Sequence, residues 1–104
     1  MVNLNVPPDE AIRLLNERIE AIGTIKRTPA GLDYYDFVGW CSRTYAAVDR
    51  IYGVGDFRPE EIRMIGLFNC SCDAHTRAVI VADAYYAKLQ EYIGQIEEAG
   101  KGSE

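Results

Sequence analysis

Large apolar side chains fall at Tyr34, Phe37, Cys41, Tyr45, Val48 and Tyr52, at intervals of three and four residues. That spacing is the period of one helix face and predicts a helix with one buried side. Asp33 stands just before the run as an N-cap, and Gly53 stands just after it as a C′ residue. The segment also carries the only tryptophan of the chain, Trp40.

An earlier stripe, Ile12, Leu15, Ile19, Ile22 and Ile25, predicts a first helix over 8–26. Pro8 suits the first helical position, where its missing N–H costs nothing. Asp9 and Glu10 at its start and Lys26 and Arg27 at its end match the helix dipole. Gly23 interrupts the stripe, and Thr28-Pro29-Ala30-Gly31 reads as a turn. After the second helix, Gly53-Val54-Gly55-Asp56 is a loop. Pro59-Glu60-Glu61 then opens a short third helix with Ile62, Ile65 and Phe68 facing inward and an end between Gly66 and Asn69. Asn69-Cys70-Ser71-Cys72 reads as a connection, and Asp73 as the N-cap of a last helix. There Val79, Ala82, Tyr86, Leu89, Ile93 and Ile96 alternate by three and four, an a/d seam of more than two heptads. Gly100 closes that helix, and residues 101–104 are expected to fray.

The last helix would be ~39 Å long and the first two nearer ~28 Å, so it protrudes or pairs with a second copy of the chain. No window alternates with period two, so no strand is expected. The expected fold is all-α, an up-down bundle of three long helices plus one short helix, forming a single domain over 1–104. The expected core is Leu15, Ile19, Ile22, Phe37, Trp40, Cys41, Val48, Ile51, Ile62, Ile65, Val79, Ala82, Leu89 and Ile93.

Charge narrows the partners. Eleven basic against sixteen acidic residues give a formal net charge of −5. That balance speaks against nucleic acid, whose sequence-independent binding needs a basic surface, and against an anionic membrane. The N-terminus has neither a basic nor an apolar leader region, and no apolar run reaches the ~18–20 residues of a membrane span. Three cysteines, an odd number, are expected as reduced thiols in a cytoplasm.

Few groups could carry chemistry. Cys70, Cys72 and the single histidine, His75, form the only ligand-like cluster, with Cys41 as a conceivable fourth metal ligand. Structural zinc sites use wider thiol spacing and a second matching pair. The competing reading is therefore small hydrophobic cysteines packed under a loop. Arg43 and Arg50 lie seven apart on one helix face and are candidates for a phosphate or carboxylate, or for ion pairs with acids such as Asp49. Tyr85, Tyr86 and Tyr92 are candidate interface residues, since tyrosine is enriched at protein contacts. No nucleophile elbow, phosphate-binding glycine loop or di-iron carboxylate pattern occurs, so no cofactor is implied and an enzymatic role is not favoured.

The run Phe37-x-x-Trp40, then Thr44, Ala47-Val48 and Arg50-Ile51-Tyr52-Gly53, resembles an F-x-x-W, Thr, apolar, R-I-[FY]-G pattern. That pattern is similar to the small helical domain of prokaryotic abortive-infection-like proteins and of chains joined to TIR-like or nucleotide-binding domains. The close match covers 37–53, and 14–25 and 78–96 fit the flanking amphipathic helices. The resemblance implies a recognition or assembly module working in trans and carries no catalytic residues over. Three expectations result. The first is a non-enzymatic interaction or oligomerisation module of a prokaryotic cytoplasm, self-associating as a homodimer through the last helix. The second is a thiol or metal site at Cys70, Cys72 and His75. The third is a defence accessory that binds a nucleotide or other anion through Arg43 and Arg50.

Overall fold

The computed structural model describes residues 2–29, 31–65 and 74–102, with backbone alone at 74–78 and 100–102. Four helices and a small hairpin follow in order: α1 (Pro8–Ile22), β1 (Arg27–Thr28), β2 (Gly31–Leu32), α2 (Tyr34–Ile51), α3 (Arg58–Met64) and α4 (Ala74–Gly102). The molecule is mostly helical, as the periodicity requires.

Helix α1 starts at Pro8 with Asp9 and Glu10 in its first turn. It ends at Ile22, four residues before the expected Lys26. Gly23, Thr24 and Ile25 donate their N–H groups three residues back, to Glu20, Ala21 and Ile22, which tightens the chain into a closing turn. Ile25 leaves the helix but stays in the core.

The expected absence of strands is corrected here. Arg27 pairs with Leu32 and Thr28 with Gly31 in an antiparallel two-residue ladder. Strands of two residues are too short to show an alternating pattern, so only their turn was visible in the sequence. Gly31 has φ 143°, a conformation that side chains resist. The Asp33 N–H donates to the Lys26 carbonyl at 2.7 Å and closes the hairpin directly onto α2. The Asp33 carboxylate then caps α2 by accepting from the Asp36 N–H at 3.0 Å.

A second unforeseen pairing lies at the N-terminus. Leu4 bridges Tyr52 in antiparallel fashion, the Asn5 N–H donates to the Ile51 carbonyl, and the Gly53 N–H donates to the Asn3 carbonyl, both at 2.8 Å. The first residues of the chain thus lie along the exit of α2.

Helix α4 is the longest, ~44 Å at 1.5 Å per residue against ~22 Å for α1 and ~27 Å for α2. It packs against α1, α2 and β2. Its backbone stays helical through Gly100 to Gly102, past the expected stop. Its buried face also differs from the expected seam. Ala82, Leu89 and Ile96 are buried as expected, but Tyr85 and Tyr92 fill the alternate positions and Tyr86 is exposed. Ile93 is buried beside Tyr92.

The core gathers Ala11 and Leu15 of α1, Leu32 of β2, Phe37, Trp40, Cys41, Val48 and Ile51 of α2, Ile62 of α3 and this α4 face. Expected core residues Ile19, Ile22, Ile65 and Val79 pack around it half-buried. Phe68 and Asp73 lie outside the described residues. No helix among the described residues is long and apolar enough to cross a membrane.

Candidate functional site

Pro59 places α3 right after the loop, at the second position of a seven-residue helix. Arg58 anchors that start. It is 5% exposed, and its guanidinium pairs with Asp56 at 3.0 Å and donates from Nε to Gln95 of α4 at 2.7 Å. It also lies over the rings of Phe57 and Tyr52, 4.6 and 5.5 Å from their centroids. Burial would raise the Asp56 pKa, but the N–H groups of Arg58 and Asn3 and the Arg58 side chain outweigh it and hold the carboxyl below its ordinary value. Asp56 therefore joins three parts of the chain: the N-terminal segment, the loop and α3.

Anchored in this way, α3 leaves a groove of about 440 Å³ between itself and α4, lined by Phe57, Glu60, Glu61, Met64, Ile65 and Lys88. Phe57 is 56% and Met64 43% exposed, which is high for large apolar side chains beside one another. The inner wall is tied by hydrogen bonds and ion pairs. The Tyr92 hydroxyl donates to the Glu61 carboxylate at 2.8 Å, and Lys88 lies 3.7 Å from that same carboxylate and 2.8 Å from Glu91. The groove is apolar inside and carries both charge signs at its rim. Nothing in the sequence pattern marked Phe57 or Met64. Phe57 stands outside any helical period, and Met64 is off the inward face of Ile62 and Ile65.

Of the expected interface tyrosines, Tyr85 and Tyr92 are corrected: they are 1% and 0% exposed, inside the chain's own core. The Tyr85 ring packs against Trp40, Phe37 and Tyr45, and its hydroxyl lies 2.5 Å from that of Tyr45. The Tyr92 ring packs against Tyr52, so of the three expected interface tyrosines Tyr86 alone is exposed.

Cys41 is buried among these aromatics. Burial pushes its thiol up to about 11, against weaker opposing help from Tyr85 and Tyr45. Such a thiol is protonated at neutral pH and is a poor nucleophile. Burial also raises the pKa of Tyr45, Tyr52, Tyr85 and Tyr92. None of these groups is tuned toward neutrality, as a general acid or base would be. Cys70, Cys72 and the His75 side chain lie outside the described residues. Among the described residues no group of acids, cysteines or histidines is placed to hold a metal ion.

Arg43 and Arg50 are both exposed on α2. Asp49, the acid expected to pair with them, is instead engaged by Arg63 of α3. The Arg43 guanidinium folds back along the helix over Gly39, away from Arg50. The two expected ligand residues are therefore not brought together by their side chains.

Searches of family models, of curated proteins and of solved structures each return no match to this chain.

Proposed function

We propose that this chain is a non-enzymatic interaction module of a prokaryotic cytoplasm that pairs with a second copy of itself through the groove between α3 and α4. The observation that carries this reading is the exposure of Phe57 and Met64 over an apolar cleft. The a/d seam of α4 is spent inside the chain, so self-association moves from that seam to the groove. A second copy is the favoured occupant because the rim holds both Glu60 and Lys88. A two-fold pairing sets the acid of one copy against the base of the other. In this reading α1, α2 and α4 are the three long helices of an up-down bundle, and α3 lies across one end. The resemblance of 37–53 to the abortive-infection-like helical domain points the same way, toward assembly in trans.

Sedimentation velocity from micromolar to millimolar concentration tests it. Wild type should dimerise and Met64→Glu should remain monomeric with an unchanged thermal melt. A wild type that stays monomeric over the whole range defeats the proposal.

A further inference from the structure

One wall of the groove is a helix too short to hold its own shape. Helix α3 has seven residues, and an isolated helix of that length is not stable in water. It is held by what it buries, which is Ile62 and, at its first position, Arg58. Arg58 Nη1 donates to both Asp56 oxygens, at 3.1 and 3.0 Å, and the Arg58 N–H donates to Oδ1 at 3.0 Å. The Asp56 side chain is 1% exposed, so this charge is balanced out of water, where losing a partner is expensive. The Arg58 guanidinium also covers the Phe57 ring, which lines the groove. The other polar ties of α3, from Glu61 to Tyr92 and from Arg63 to Asp49, lie past its first residues. The start of α3 therefore depends on Asp56.

Asp56 receives a further donor from far along the chain. The Asn3 N–H reaches its Oδ2 at 3.1 Å. Asn3 belongs to a strap over residues 3–5 that lies along the exit of α2. Besides the two backbone bonds at 2.8 Å, the Asn5 side-chain amide donates to the Tyr52 carbonyl at 3.1 Å and the Asn3 side-chain amide to the Val54 carbonyl at 3.0 Å. Hydrogen bonds supply most of this hold. Val2, Leu4 and Val6 are only half-buried against the core, and Asn3 and Asn5 are exposed, whereas Val48 and Ile51 of α2 are fully buried. A segment held in this way opens at lower free energy than the helix it lies on.

We propose that residues 3–5 are a latch on the groove. Seated, the strap helps to hold Asp56 on Arg58 and keeps α3 in place as the wall facing α4. Lifted, it loosens the start of α3 and the Phe57 side of the groove with it. The coupling concerns the wall itself and does not depend on what occupies the groove.

Amide exchange of the full chain tests this, in a Met64→Glu background so that no second copy covers α3. Asn3→Ala/Asn5→Ala removes two strap bonds and touches neither Asp56 nor α3. It should speed exchange at Asn5 and Gly53 and, at least about fivefold, at the α3 amides of 61–64, while those of 41–48 in α2 stay within about twofold. Asp56→Ala should speed α3 exchange by itself, and adding the two asparagine changes to it should speed α3 little further, because the connection is already cut. If Asp56→Ala does not fold, the comparison of α3 with α2 in the asparagine variant decides alone. A rise confined to Asn5 and Gly53 overturns the proposal, since the strap then opens without α3. An equal rise in α2 and α3 also overturns it, since the strap then contributes only to overall stability.

Discussion

The indole N–H of Trp40 is hydrogen-bonded to the backbone carbonyl of Arg18 at 2.9 Å, so the largest core side chain is also a polar tie between α2 and α1. The ring packs against both Phe37 and Tyr85, with centroids 6.3 and 5.4 Å away. Trp40→Phe removes the donor and leaves the carbonyl without it, and it leaves space around a smaller ring. The expected loss is about 2–4 kcal/mol in urea unfolding. A loss under about 0.5 kcal/mol would mean that the bond contributes little.

Asp56 makes stability depend on acid. Its folded pKa is below the ordinary value of 3.8, so its contribution is complete above that value and is lost as pH falls through the lower folded value. Melting temperatures measured from pH 6 down to pH 2.5 should drop in wild type. Asp56→Asn should be less stable already at pH 6, by about 3 kcal/mol, because Arg58 is left buried without its counter-charge. Its acid-side drop should be shallower. A parallel drop in both proteins would assign the acid sensitivity to other carboxylates.

The legible parts of this fold are those with several turns of helical period. Helix α2 was readable at its start and along its stripe, where Asp33 caps it as expected, but not at its end: Tyr52 leaves the helix extended, and Gly53 takes no positive φ and donates to the Asn3 carbonyl instead. The register of α4 was only half readable. Ala82, Leu89 and Ile96 are seven apart and belong to either of two seams, and the chain offers apolar neighbours at both Tyr85–Tyr86 and Tyr92–Ile93. Packing against Trp40 and Tyr45 decided for Tyr85, and packing against Tyr52 and Glu61 decided for Tyr92. The N-terminal bridge of Leu4 to Tyr52 and the bond from the Trp40 indole to the Arg18 carbonyl join residues distant in sequence, and no local pattern encodes such contacts.

Cys41 should behave as an inert thiol. With burial raising it to about 11 from an ordinary 9.0, it is protonated throughout the neutral range. In a Cys70→Ser, Cys72→Ser background, a disulfide reagent at pH 8 should modify it only on the timescale of unfolding and rapidly in urea. Its raised folded pKa also sets a sign at high pH. The thiol's contribution is fully present below 9.0 and is lost as pH rises toward about 11. Tyr45 and Tyr85, also raised by burial, act in the same direction. Native modification as fast as that of the unfolded chain would contradict the burial of Cys41.

Two glycines should respond to alanine with opposite signs. A β-carbon at Gly53 would come 2.7 Å from the Asn3 side-chain nitrogen, which itself donates to the Val54 carbonyl at 3.0 Å. The asparagine has to swing away, that bond breaks, and the N-terminal segment loosens from α2. Gly53→Ala should therefore cost about 1 kcal/mol and increase amide exchange at Asn5 and Gly53 together. Gly94 lies in the interior of α4, and a β-carbon there meets no atom within 4 Å. Gly94→Ala only removes conformational freedom from the unfolded chain and should gain about 0.5–1 kcal/mol. A destabilised Gly94→Ala would place another surface against that side of α4 in solution, and sedimentation of the variant would show whether a second copy supplies it.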